Sequence, residues 1–320
     1  MSRPPRPPQL PMRRGVSASC AVVRPGDGPT VLDFLAARLP ALPRAAWAER
    51  LAAGEVLDAA AQAVAAHAAC QPGQRLYYYR RQEAEPPPTE EAVVLHQDEW
   101  LVVADKPHFM PVTPGGRFVQ RSLLVSLKHR LGLPELSPIH RIDRDTAGLV
   151  LLAVQPHTRG AYQALLRDAR LRKLYEAVAP RQPALAAPRQ HRSRLERDPA
   201  RFFLSREVPG VPNSETHIEC AAFVDARHAL YRLRPVTGQR HQLRLHLQAL
   251  GAPILGDAFY PRVLRPPGAP DDLARPLQLL AREVVFDDPL TGQPRRFTSS
   301  RTLAAAAGRW PAEPAAARAA

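Results

Sequence analysis

The sequence predicts a protein of mixed α and β structure in two parts, and three observations carry that expectation. Apolar residues recur at helical spacing in several stretches, as at Val31, Phe34, Leu35 and Leu39. Other runs are rich in branched residues, 149–154 (Leu-Val-Leu-Leu-Ala-Val) being the most continuous, which reads as a buried strand. Residues 84–91, with Pro86-Pro87-Pro88, form a stiff polar linker that divides a short N-terminal part from a long C-terminal one. At 320 residues the chain can hold one large or two modest domains.

Charge narrows the partners. The chain has 44 Lys+Arg against 30 Asp+Glu, a formal +14, which points to a polyanion, with nucleic acid ahead of a membrane surface. Almost all of that charge is arginine; Lys106, Lys128 and Lys173 are the only lysines. Cys20, Cys70 and Cys220 are isolated, without C-x-x-C pairing or zinc-type spacing, so a disulfide frame and a zinc site are not expected. No window approaches 18 apolar residues, and the amino terminus lacks an apolar signal core, so the expectation is a cytoplasmic protein without a membrane span.

Residues 1–27 are rich in Pro and Arg and read as a disordered basic arm. Thr30 is a suitable N-cap for a helix over 30–39, which Pro40 ends. A second helix is expected over 45–53, stopped by Gly54, then short strands at 55–57 and 73–79. The Ala-rich run 59–69 has helical potential. After the linker, two apolar runs around a charged turn, 93–107, make a hairpin ending in Lys106-Pro107. Helices follow over 122–131 and 158–169, the latter with Tyr162, Leu165, Leu166 and Ala169 on one face. Residues 173–178 form a strand, 180–212 look like a loop or insertion, and 217–223 and 229–235 are two further β runs. A helix is expected from Gln242 to Leu250, a closing strand at 279–287, and a disordered Ala-rich tail over 301–320.

The most charge-dense stretch is His140-Arg141-Ile142-Asp143-Arg144-Asp145-Thr146-Ala147-Gly148, feeding directly into the strand at 149–154. An Asp-rich turn, capped at Thr146 and using Gly148 for positive φ, accounts for part of it. His140-Arg141-Ile142-Asp143 with Asp145-Thr146-Ala147-Gly148 also resembles the H-R-L-D-x-x-T-S-G signature of the RluA-type pseudouridine synthases. Other motifs keep the same family order over about 90–300. These are the opening strands ending in Lys106-Pro107, and Lys173-Leu174-Tyr175-Glu176-Ala177, which resembles K-x-Y-x-A. Thr237-Gly238-Gln239-Arg240-His241-Gln242-Leu243-Arg244-Leu245-His246, continuing to Gly251 and Gly256-Asp257, resembles T-G-R-x-H-Q-[IL]-R-x-H…G-x-P-[IL]-x-G-D. Asp288-Pro289-Leu290-Thr291-Gly292 resembles the closing H-P-x-T-G turn. Gln239 and Asp288 depart from the pattern.

The resemblance implies an α+β catalytic domain over 92–300, built on a curved mixed sheet. It implies isomerisation of uridine to pseudouridine in structured RNA, ribosomal RNA first and transfer RNA second, without a cofactor or metal. It places the catalytic carboxylate on Asp143, an arginine partner on Arg244, and a tyrosine beside the target base on Tyr175. Asp145 falls at a variable position. Arg141 is implied as the wedge filling the space of a flipped base. His140, Lys106, Lys173, His241 and Arg240 are the remaining candidate RNA-contacting residues. The N-terminal elements, residues 28–83, resemble the small RNA-binding module of the ribosomal protein S-four type, in degenerate form; Arg38, Arg44 and Arg50 would then be its phosphate contacts. A monomer is the simple expectation.

Two other readings compete. A non-catalytic RNA-binding protein shares the charge but leaves the joint presence of Asp143, Tyr175 and Arg244 without a reason. A metal-dependent hydrolase using His140, Asp143 and Asp145 has all its ligands on one loop and no distant ligand of compatible pattern.

Overall fold

The computed structural model describes residues 10, 12–13, 15–40, 42–80, 85, 90–116, 118–266 and 268–311. Residues 1–9, 11 and 14 of the expected N-terminal arm, most of the 84–91 linker and residues 312–320 of the expected tail lie outside them. The chain divides into two units, the first made of 1–85, 114–120 and 125–134, the second of 86–113, 121–124 and 135–320.

In the first unit a three-stranded sheet, ordered β1-β3-β2, is formed by β1 (Ser19–Val22), β2 (Val56–Leu57) and β3 (Arg75–Tyr78). It shares one core with α1 (Val31–Arg38) and α2 (Arg44–Ala52), through buried Val31, Phe34, Leu35, Trp47, Leu51 and Leu76. Thr30 caps α1 as its sequence position predicts, its hydroxyl oxygen accepting from the Asp33 N–H at 3.2 Å. Two expectations are corrected. The Ser19–Val22 segment, assigned to a disordered arm, is a strand, because Cys20 and Ala21 pair with Tyr77 and Leu76 and complete a sheet too small to be stable with two strands. The Ala-rich run 59–69 is not helical; turns and isolated bridges to Leu57 and Thr30 carry it, and Ala61 takes a positive φ of 63° that no helix accommodates.

The second unit is built on an eleven-stranded mixed sheet. Its hairpin β4 (Val93–Gln97) and β5 (Leu101–Lys106) forms as the apolar runs predict. Helix α3 (Leu123–Leu131), most of it assigned to the first unit, and the two-residue β6 (Ser137–Pro138) lead to β7 (Ala147–Ala153), every residue of which is buried. After α4 (Arg159–Arg167) come β8 (Arg172–Pro180), β9 (Arg189–Arg197), β10 (Ser205–Val208), β11 (Ser214–Phe223) and β12 (His228–Pro235). Helix α5 (Gln242–Ala249) and the hairpin β13 (Leu279–Asp287) and β14 (Pro294–Thr298) complete the unit. The sheet order is β10-β9-β11-β12-β8-β13-β7-β5-β4, with β6 on β7 and β14 on β13. Pairing is antiparallel except between β13 and β7. One core packs β5 and β7 against Tyr162 and Leu165 of α4; another packs Ala177, Tyr231 and Leu233 against Leu243 and Leu247 of α5.

Two more expectations need correction. The stretch 180–212 contains a true hairpin, β9 and β10, which extends the sheet rather than looping out. Its arginine alternation hid the strand, because only Leu195 and, on the return, Leu204 and Ser205 are buried. Beyond Arg301 the chain stays packed as far as Trp310, with Leu303 and Ala305 buried against Ala147, Val178 and Leu280. At the closing turn Asp288 takes the motif's His position as a cap: its carboxylate accepts from the Leu290 N–H at 3.0 Å and the Tyr162 hydroxyl at 3.2 Å.

The parallel contact of β7 with β13 fixes one glycine. Gly148 has φ +109°, and a Cβ there would lie 2.3 Å from the Ala281 carbonyl oxygen, a backbone atom that cannot turn aside. Gly148→Ala should therefore destabilise the protein by roughly 2–4 kcal/mol, read as a lower urea midpoint; an unchanged midpoint would refute this account of the junction.

Candidate active site

Arg244, on the first turn of α5, is 2% exposed, yet a guanidinium cannot be left unpaired in a core. Asp257 satisfies it from the loop after α5: Nε donates to Oδ2 at 2.7 Å and Nη2 to Oδ1 at 2.6 Å, a bidentate fork. Asp257 is itself held, its Oδ1 accepting from the Phe259 and Tyr260 N–H groups at 2.8 and 3.1 Å. Gly256 before it has φ +73° and lies so close to the Pro276 carbonyl that a side chain would collide. The remaining guanidinium nitrogen, Nη1, points to Asp143, 3.6 Å from its Oδ2. That distance is an ion pair, too long for a direct hydrogen bond.

Asp143 thus faces a cation, no donor among the described residues lies within 3.5 Å of its carboxylate, and its side chain is 29% exposed. Burial pushes its carboxyl up; His241 when protonated, Arg244 and Arg240 outweigh this and hold it below the ordinary carboxylate range. Burial lowers His241 to about 4, so at neutral pH its ring is uncharged and the standing positive charges near Asp143 are those of Arg244 and Arg240. Tyr175 lies on the central strand β8, half-buried against the core; burial and the negative charge of Asp143 push its phenol up. Asp143, Arg244 and Tyr175, drawn from two distant motifs and a strand, therefore lie together.

The α5 entrance explains the motif around it. His241 occupies the left-handed region at φ 59°, a strained conformation for a non-glycine residue. It is held by its Nδ1 contact with the Tyr260 hydroxyl at 2.8 Å. Gln242 ties the preceding turn, its Nε2 donating to Glu215 O and its Oε1 accepting from the Thr237 hydroxyl. His246 is fully buried, with Nδ1 on Thr216 and Nε2 on Ser214, each at 2.9 Å; burial lowers it to about 3, so it is a neutral cross-tie.

The remaining candidates separate by exposure. Arg141 is exposed and makes no ion pair among the described residues. Lys173 is half-buried beside the Gly238 turn, its Nζ 3.9 Å from where a Cβ would stand. Arg240 is exposed, but its guanidinium donates to the Phe202 and Phe203 carbonyls at 2.7 Å each. Lys106 is corrected: it is fully buried, its ammonium donating to Pro107 O at 2.9 Å and Arg144 O at 3.0 Å, so it secures the loop from beneath and cannot reach a phosphate. Burial brings it down to about 7 against the charges of Asp145 and Asp143. His140 is corrected likewise: its Nε2 accepts from the Leu151 N–H at 3.2 Å, stapling the loop to β7 as a neutral ring. Burial takes it to about 3.

The ligand set of the metal-hydrolase reading does not converge. Among the described residues the converging group of three donors is His191, Glu207 and His246, none on the 140–148 loop. Sequence reasoning missed Asp257 and Tyr260; the Gly256-Asp257 ending of the motif was the available signal, read as pattern without a role.

Residues 100–249 match the family model described as RNA pseudouridylate synthase. The chain is 32% identical over 232 residues to an uncharacterized RNA pseudouridine synthase of Synechocystis, an alignment spanning 72% of this chain and 79% of that one. It is 30% identical to the dual-specificity RNA pseudouridine synthase RluA of Pasteurella multocida, over 64% of this chain and 91% of the relative. It is 28% identical to the ribosomal large subunit pseudouridine synthase D of Vibrio vulnificus, over 64% and 65% respectively. The chain belongs to the RluA-type RNA pseudouridine synthases. It is an isomerase that converts uridine in RNA to pseudouridine, and the non-catalytic reading is not favoured.

The buried fork makes a stability prediction. Asp257→Ala would strand Arg244 in the core and should cost about 3–5 kcal/mol, measured by urea unfolding; a loss below about 1 kcal/mol would mean that the fork is not what holds Arg244.

Proposed function

We propose that Asp143 is the carboxylate that acts at the target nucleotide, with Arg244 as the cation that keeps it ionised and Tyr175 packed against the flipped base. The observation that carries this is the 3.6 Å approach of Arg244 to a half-open Asp143, with Asp257 holding the same guanidinium from the other side. The reaction is an isomerisation: the bond from ribose C1′ to N1 breaks, the base turns, and C1′ bonds to C5. N1 is left protonated as C5 loses its hydrogen, so nothing is consumed. Asp143 sits where it can act at the sugar or on the departing C5 proton. Arg141, exposed on the same loop, is suited to fill the gap left by the base, which costs a few kcal/mol to unstack. Lys173 and Arg240 border the same site, while His241 shapes it from within.

Ribosomal RNA is the target we favour, in line with the large-subunit enzyme among the relatives and with the excess of basic residues. In the first unit Arg38 is the exposed candidate for backbone contact; Arg44 pairs with Asp33 at 2.6 Å and Arg50 donates to Tyr79 O.

Pseudouridines mapped in total RNA from wild-type, deletion and Asp143→Asn cells test the assignment. The same uridines should lose the modification in both altered strains; sites kept in Asp143→Asn would sink the role given to Asp143.

A pH profile checks the ion pair. With its carboxyl held low, Asp143 stays charged through the ordinary carboxylate range, and activity falls only as pH drops below it. Arg244→Met leaves burial opposed by less positive charge, so the acid limb of the residual activity should move to higher pH. An acid limb in the wild-type position would show that Arg244 does not set the charge of Asp143.

A further inference from the structure

The β9–β10 hairpin, which the motifs do not explain, ends beside the active site. Its tip is a built turn: Asp198 Oδ1 accepts from the Ala200 and Arg201 N–H groups at 2.9 Å each, and the Leu204 N–H donates to Arg201 O at 2.7 Å. Arg240 clamps the tip through the Phe202 and Phe203 carbonyls, and the same guanidinium lies near enough to Asp143 to help lower its carboxyl. From the tip an aromatic file leads inward. Phe202 meets Phe203 edge-on at 5.7 Å, Phe203 meets Phe259 at 5.4 Å, and Arg244 stacks over Phe259 at 5.1 Å. The inner members are covered, but the outermost, Phe202, is 78% exposed. Folding gains nothing from leaving a phenyl ring in water at the end of a rigid turn.

Charge follows the same edge. Arg192, Arg194 and Arg201 have carboxylate partners in Glu215, Glu196 and Asp198, whereas exposed Arg197 and Arg206 make no ion pair among the described residues. Beneath the hairpin a groove of about 320 Å³ adds Arg262 to Arg201 and Arg206, while its two acids are occupied, Asp198 by Arg201 and Glu207 by His191.

We propose that the β9–β10 hairpin is a substrate-reading arm, in which Phe202 stacks on an unpaired base next to the target uridine while Arg197 and Arg206 hold the adjoining phosphates. An aromatic face beside two unpaired guanidinium groups suits single-stranded RNA, where unstacked bases seek π-faces and phosphates seek arginine. The clamp by Arg240 sets the arm one side chain away from the reacting carboxylate. Phe202 is thus a specificity-determining residue for the reaction, an inference that rests on RNA being the substrate.

The test is pseudouridine formation by the full chain on total RNA from cells lacking it, at varied RNA concentration. Phe202→Ala should raise KM by about 5- to 100-fold, the effect falling on KM rather than kcat, and Phe202→Trp should bring KM back towards wild type. The Arg197→Ala/Arg206→Ala double variant should flatten the logarithmic salt dependence of binding by roughly 1.4. A Phe202→Ala enzyme that melts normally and keeps its KM within twofold overturns the proposal, as it would if the arm docks a protein instead. If the wild-type chain modifies nothing in that RNA, the substrate reading fails by itself. Retention of the same RNA on filters then decides: weaker retention by Phe202→Ala supports the arm, and equal retention overturns it.

Discussion

The second unit depends on how a buried guanidinium is shared between two carboxylates. Arg244 uses Nε and Nη2 on Asp257 and offers Nη1 to Asp143. At 3.6 Å and an effective dielectric near 20, the attraction to Asp143 is worth about 4–5 kcal/mol before desolvation. Partial burial of a carboxylate opposes it by a similar order; protonated His241 and Arg240 add to Arg244, and together they hold the Asp143 carboxyl low. Asp257 makes this possible at no cost in reactivity. It takes the hydrogen-bonding fork, so Arg244 is fixed in direction and Asp143 receives charge without having its oxygens capped.

That constraint explains the surrounding backbone. Arg244 must project from the first turn of α5, which begins abruptly at a left-handed His241 braced by Tyr260. Tyr260 in turn accepts from Ser205 N and donates to Ser205 O, so the braced helix start and the β10 strand share one hydroxyl. The charge density of the 140–148 loop resolves the same way. His140 staples it to β7, buried Lys106 supports the Arg144 carbonyl, and Arg144 forks onto Asp271 at 2.9 and 2.5 Å. What these ties leave open on the loop is the Asp143 carboxylate, with exposed Arg141 beside it.

Much of this was legible in the sequence, and the reasons differ by residue. Strand β7 is buried on both faces and therefore spells an unbroken apolar run, as does β5 up to Ala104; α4 and α5 are amphipathic, and Thr30 is a self-announcing cap. The pairing of Asp143 with Arg244 followed from motifs, because their separation of a hundred residues carries no spacing signal. Lys106 and His140 read as candidate RNA contacts because a charged residue beside a polar loop suggests a ligand; nothing local reveals that two carbonyls and a backbone N–H take up their polar atoms. Strands β1 and β9 escaped for another reason: one is short, and the other is an arginine-rich strand with one fully buried residue, so neither shows the alternation on which a strand is recognised.

The departures from the family pattern fall where rigidity is supplied by other means. Gln239 stands at the motif's arginine position, and its backbone N–H donates to Gln242 Oε1 while its side chain reaches Asn213 O, so the turn before α5 stays tied without a guanidinium. The neighbouring Arg240 is then the cation at this corner, and it spends its two Nη groups on the hairpin tip. One residue thereby couples two kinds of structure. On one side is the frame of Arg244, Asp257 and Asp143, held by a buried fork; on the other is a hairpin whose exposed side chains the fork does not touch. The Arg240 link runs to the Phe202 and Phe203 backbone carbonyls, which persist when the exposed hairpin side chains change. The inner ring of Phe203, by contrast, packs on Phe259 under Arg244 and is tied to the frame.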